Sequence, residues 1–231
     1  MAVATWERGD VLPKLLPLPS FSAESTRDVL LLASLMNLDE QTIQQRLDTG
    51  HHPYIARLGE TLAGYGWVAS YEASIGELDL EFVLPSNNRY LWDYVTLPTF
   101  RGHGVYPHLL QTILRQELQA ADRFWIIYAP ENGASEAGIR KAGFTPVDEL
   151  SFLAEGGAGM IPLVSDIRAS LGSDLLHIPL LQKQAQHRLF PCWRCAAMKQ
   201  RADCWPLRSL SSSLRSHCTC LKKGNNACIL S

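Results

Sequence analysis

The sequence predicts an α+β fold, a mostly antiparallel sheet flanked by helices. Three observations predict it. Two segments with helical spacing of apolar residues lie near 25–36 and 39–50; β-rich runs separated by turns fill 54–97; helix-type and strand-type segments then alternate from 105 to 153.

Each element has its own reason. Ser25 to Met36 carries Val29, Leu30, Leu32, Leu35 and Met36 at helical spacing, and Asp39-Glu40-Gln41 opens a second short helix that Gly50 closes. Tyr54–Leu58, Leu62–Tyr71, Glu77–Leu84 and Tyr90–Leu97 read as strands, separated by Gly59-Glu60 and by the polar run Pro85-Ser86-Asn87-Asn88. Together they predict an antiparallel meander. After Gly104, Val105, Leu109, Leu110, Ile113, Leu114 and Leu118 form one helical face. Phe124–Ala129 is a short strand, Ser135–Ala142 a short helix ended by Gly143, and Thr145–Leu153 a last strand.

At 231 residues and 46% hydrophobic content the chain can bury one good core. No apolar run approaches the roughly 18 residues a membrane-spanning helix needs, and the opening MAVATWERGD has no leader pattern, which reads as cytoplasmic with no membrane partner. The net charge of −2 conceals an asymmetry: the chain from Arg188 onward carries about +7, leaving about −9 on the rest. All six cysteines lie there too, from Cys192 onward. These shifts divide the chain into a domain over 1–165 and a basic, Cys-rich extension over 166–231, expected to be poorly ordered. The extension has other readings: zinc ligands in CWRC with Cys204, Cys218 and Cys220, or a prenylation box at Cys228-Ile229-Leu230-Ser231. It lacks the interleaved aromatics of a nucleic-acid binder, so no nucleic-acid partner is expected, and its cysteine intervals of 8 and 13 residues with a C-x-C end match no common finger, so no metal is expected.

The chemistry concentrates where the strand ending at Leu97-Pro98 passes into the helix after Gly104. In Arg101-Gly102-His103-Gly104 there is little side-chain bulk, so backbone N–H groups can face one concavity beside the positive end of a helix dipole, a phosphate-binding arrangement. The loop has neither the Lys-Ser/Thr ending of a Walker loop nor the third glycine of a dinucleotide fingerprint. Further on, ENGASEAGIRKAGF aligns Asn132, Ser135, Lys141, Gly143 and Phe144 as N-x-x-S-x-x-x-x-x-K-x-G-F.

With Arg101, Gly104 and Tyr106 matching (Q/R)-x-x-G-x-(G/A) imperfectly at the last position, these two runs resemble the motifs of the GNAT superfamily of acyl-CoA-dependent N-acyltransferases, and the resemblance spans about residues 22–155. It implies a sheet splayed open at the cosubstrate site, with the pantetheine arm of acetyl-CoA between the strand ending at Leu97 and the strand Phe124–Ala129. By the same resemblance the pyrophosphate lies on the N–H groups of Arg101, Gly102, His103, Gly104, Val105 and Tyr106. Val95 and Leu97 on the strand, and Asn132, Ser135 and Lys141 on the second motif, complete the cofactor-binding set that it implies. The acceptor is a small-molecule or peptide amine, and a homodimer is compatible.

An amine must be neutral to attack a thioester, and an alkyl amine of pKa near 10.4 is neutral at pH 7 only at a cost of about 4.6 kcal/mol. Carboxylates in the central strands are candidate bases: Asp93 and Glu81, with Glu77 and Asp79 on the same face as Glu81 by alternation, a pattern a solvated sheet face also produces. The family's thiolate-protonating tyrosine would stand at Ile139, so that acid is missing; Tyr128 and Tyr106 are substitutes by location. Two functions follow: an N-acetyltransferase acting on a primary amine, or a degenerate acyl-CoA-binding module with a regulatory or structural role.

Overall fold

The computed structural model of the protein describes residues 1–153 and 157–181, which fall into two compact units. The larger comprises Ala2–Ser74 and Glu81–Val147. In chain order its elements are β1 (Ala2–Glu7), β2 (Phe21–Ser25), α1 (Val29–Met36), α2 (Glu40–Asp48), β3 (His51–Leu58) and β4 (Thr61–Ala69). A short ribbon of β5 (Glu72–Ile75) and β6 (Leu80–Val83) follows, then β7 (Asn88–Thr96), α3 (Val105–Glu117), β8 (Arg123–Tyr128) and α4 (Gly133–Ala142). The main-sheet strands of this unit follow the order β1-β8-β7-β4-β3-β2, antiparallel throughout except for the parallel pair β7–β8. The fold is α+β with a mixed, mostly antiparallel central sheet flanked by helices.

Several elements differ from the sequence expectation, three of them before β7. Strand β1 was unforeseen because its first five residues are all buried, which erases the alternation that marks a half-exposed strand. The first helix begins later than Ser25, because Phe21–Ser25 pairs with β3 and Asp28 is the cap, its carboxylate accepting from Leu31 N at 3.0 Å. The strand expected over Glu77–Leu84 is broken by a 3₁₀ turn at Gly76–Leu78 and by the left-handed backbone of Asp79 (φ 49°), so the alternation that put 77, 79 and 81 on one face does not hold.

Helix α3 packs one apolar face, Val105, Leu109, Leu110, Ile113 and Leu114, into a core shared with Ala4, Leu91, Phe124 and Ile126 of the sheet. Its far end is fixed by charge. Glu117 accepts from Tyr54 Oη at 2.8 Å and from Arg89 Nε at 3.0 Å. Burial pushes the Glu117 carboxyl up, but the hydrogen bonds from His52, Tyr54 and Arg89 outweigh it and hold the pKa at about 2. That network ties α3 to β3 and β7 and fixes where its N-terminus points. The α1–α2 pair covers a second cluster with Ile55, Tyr65 and Trp67 beneath it.

The smaller unit contains Ile75–Leu80 and the described residues from Asp148 on. Here β9 (Thr145–Phe152) pairs antiparallel with β10 (Ala158–Pro162), and α5 (Ile167–Leu176) is capped by Asp166. Asp148 is fully buried opposite Pro162, and neither carboxylate oxygen has a hydrogen-bond partner. Among the described residues no helix is long and apolar enough to cross a membrane, and no cluster of metal-ligating side chains forms. The CWRC run and the Cys228 terminus lie outside the described residues.

Candidate active site

Strands β7 and β8 are paired from Asn88/Arg123 to Leu91/Ile126 and no further, although β7 continues to Thr96 and β8 to Tyr128. Beyond that point they part. The split coincides with a bulge on the other side of β7: Tyr65 pairs with Val95 and Trp67 with Trp92, so Asp93 and Tyr94 both face Gly66. Asp93 takes the left-handed backbone (φ 52°) that the extra residue needs. The resulting cleft, about 800 Å³, is lined by β7, β8, the loop before α3 and the start of α4. Its lining includes Leu91 and Tyr94, which pack with the α3 core, and Trp92 and Val95, which pack with the α1–α2 cluster.

At one end of the cleft lies the N-terminus of α3. Its cap is Gly104 (φ 84°), no side chain satisfies the first-turn N–H groups, and Pro107 in that turn has no N–H to satisfy. Gly102 is also left-handed (φ 81°) and has nothing within 4 Å of where a Cβ would stand. Gly104, Val105, Tyr106 and Pro107 all line the cleft, so the uncapped start of α3 borders it, the arrangement an anionic pyrophosphate requires. Arg101 and Lys141 line the same space, with the Arg101 Nε donating to Thr96 O at 3.2 Å. Asn132 caps α4, its side chain accepting from Ser135 N at 3.0 Å.

Of the residues singled out in the sequence, Asp93, Val95, Arg101, Gly102, Gly104, Val105, Tyr106, Tyr128, Asn132, Ser135 and Lys141 line this one cleft. Leu97, His103 and Glu81 lie outside its lining, and Glu81 sits instead on β6 of the short ribbon. Asp93 is already engaged: its Oδ2 is 2.7 Å from Arg46 Nη1, and the Arg46 guanidinium lies 4.6 Å from the Trp92 ring centroid and 5.2 Å from that of Trp67. Tyr106 does not hang free either. Its ring fills the space a Cβ on Gly138 would need (2.5 Å), burial pushes its phenol up, and a hydrogen bond with Ser135 acts the other way. Ile139 is fully buried.

Among the cleft residues that sequence reasoning did not single out are two aromatics. Trp92 and Tyr94 read as ordinary strand aromatics, and only the bulge, which is not visible in the residue pattern, turns Tyr94 to the α3 side.

The fold and the cleft together have the form of an acyl-CoA-binding domain. Residues 21–144 match the model of the acetyltransferase (GNAT) family, more than half the chain, and the protein belongs to that family, whose cosubstrate is acetyl-CoA. The cleft fits that molecule: an open strand edge for an extended arm, and uncapped N–H groups for phosphates. No curated protein matches the chain in sequence. Among solved structures, similarity extends to yncA, a putative acetyltransferase from Salmonella typhimurium with acetyl-CoA, at 14% identity and TM-score 0.44, covering 60% of this chain and 86% of that one. It also extends to AAC(6')-Iy with a bisubstrate analogue (17%, TM-score 0.42, 54% and 90%) and to an aminoglycoside acetyltransferase from an uncultured soil metagenomic sample (11%, TM-score 0.39, 53% and 87%).

Proposed function

We propose that the protein transfers an acetyl group from acetyl-CoA to a primary amine, and that the amine is a cationic small molecule or peptide group. The observation that carries the transferase reading is the parting of β7 and β8 directly beside the uncapped start of α3. The gap supplies backbone hydrogen bonds to an extended arm, the α3 turn takes the phosphates, and Arg101 and Lys141 add positive charge. Buried Ile139 in place of a donor favours the second reading, an acyl-CoA-binding module without turnover.

The acceptor class rests on two features. Residues 1–187 carry about −9, which attracts cations over several ångströms. Asp93 stands in the cleft with Arg46 fixing it, and an ionised carboxylate has lone pairs left to accept from an ammonium. In this role Asp93 holds the acceptor, and water in the cleft takes its proton. The test compares 1,4-diaminobutane with 4-aminobutyrate, which differ in the sign of one end, at two ionic strengths. The diamine is the better acceptor, its advantage shrinks as the Debye length falls toward about 8 Å, and Asp93→Asn raises its KM about tenfold, equivalent to about 1.4 kcal/mol, with the acetyl-CoA KM unchanged. Preference for 4-aminobutyrate, or an unchanged KM in Asp93→Asn, contradicts the assignment.

A further inference from the structure

The bulge in β7 places one phenol in the cleft wall with nothing to bond. Tyr94 lines the cleft, and its hydroxyl is buried without a hydrogen-bond partner. Its ring packs against β4 at Gly66, where an added Cβ would fall 2.2 Å from the ring, so only glycine admits it there. On its other side it meets Tyr106 at 5.6 Å between ring centroids, and Tyr106 in turn covers Gly138 of α4. The phenol thus stands one ring away from the helix that carries Ile139. A buried, unpaired hydroxyl costs about 1–3 kcal/mol, and in the wall of a ligand cleft an occupant that pairs with it accounts for its retention.

Resting on the transferase reading, we propose that Tyr94 is the hydrogen-bond donor to the thioester sulfur, acting from β7 in place of the donor absent at Ile139. In the transfer the amine nitrogen bonds to the thioester carbonyl carbon, the C–S bond breaks with its electron pair remaining on sulfur, and the surplus amine proton passes to water. Tyr94 keeps its own proton. Burial, reinforced by Tyr106, Tyr54 and Glu117, raises its pKa well above the ordinary phenol value, so it remains a donor at every pH at which the enzyme works. Its contribution is to stabilise negative charge on sulfur as it develops.

The experiment uses CoA itself, whose thiolate is followed by ultraviolet absorbance in the complex with the full chain. In the wild-type complex the thiol titrates at least one unit below the free value of about 8.5; in Tyr94→Phe it returns to that value, CoA affinity measured at pH 6 is unchanged, and kcat falls about tenfold at unchanged acetyl-CoA KM. A purely packing role for Tyr94 moves none of these. Should the Phe variant fail to fold, 3,5-difluorotyrosine at position 94 alone keeps the shape with a more acidic phenol, and the bound thiol pKa then drops below wild type. Equal thiol pKa values in wild type and variant, with CoA bound to both, overturn the assignment to Tyr94 alone. Failure of the wild-type chain to bind CoA overturns the transferase reading and this role with it.

Discussion

Gly104→Glu raises the dissociation constant for CoA at least a hundredfold, about 2.7 kcal/mol, in a chain that still folds. Two effects combine. The substitution places a carboxylate at the start of α3, among the N–H groups available to phosphates, where like charge repels and the helix dipole is partly cancelled. It also forces a side chain onto a φ of 84°, at a cost of about 1–2 kcal/mol. That strain is smaller than the 5–15 kcal/mol by which domains are ordinarily stable, so the fold survives while the cradle is lost. Calorimetry with CoA, checked by a melting curve of the same sample, reads both quantities. Unchanged affinity in a folded variant removes the α3 turn from the binding site.

Asp148→Asn stabilises the protein at pH 8 and leaves it nearly unchanged at pH 4. Burial, with the Asp166 charge adding to it, raises the Asp148 pKa to about 7 from an unfolded value of 3.8. Below the unfolded pKa both states are protonated and the group is neutral in its effect; between the two values the folded state holds a proton the unfolded state has released, so stability falls as pH rises. The loss is complete above pH 7 and amounts to about 4 kcal/mol for a shift of this size. Asparagine cannot ionise, and its amide is as unpartnered as the protonated carboxyl it replaces, so the variant is nearly neutral at pH 4 and its gain at pH 8 approaches the full loss of about 4 kcal/mol. Denaturant midpoints of wild type and variant at pH 4, 6 and 8 measure it. A difference between the two that does not grow with pH shows that Asp148 finds a partner when ionised.

Much of the fold was legible in residue patterns because most of its elements are half-buried. The apolar stripe of α3, the opening Asp39 and the closing Gly143 all mark their helices in the sequence. What escaped detection has a common physical cause. Strand β1 is buried on both faces and shows no alternation, and β2 has no fully buried side chain to mark it. The smaller unit's β10 is only five residues long, and α5 has no pronounced apolar face.

At the site, the glycines were readable as a bare turn and the Asn-to-Phe run through its family resemblance; in the structure Gly102 and Gly104 take left-handed backbone and Asn132 caps α4, features set by neighbours in the chain. The bulge at Asp93 was not. It depends on register against β4, and with it go the Arg46–Asp93 pair, contributed from α2, and the position of Tyr94 over Gly66. The strand expected through 77–84 failed for the same reason, since nothing local announced the turn at Gly76–Leu78.

The choice between an enzyme and a binding module turns on one measurement: thiol release from acetyl-CoA by the purified full chain, with and without 1,4-diaminobutane, alongside mass analysis of the amine. The account predicts release that depends on the amine, matched mole for mole by the singly acetylated diamine, and abolished in Gly104→Glu. Stoichiometric acetyl-CoA binding with no amine-dependent release from any primary amine tested would contradict it and leave the cleft as an acyl-CoA-binding site without turnover.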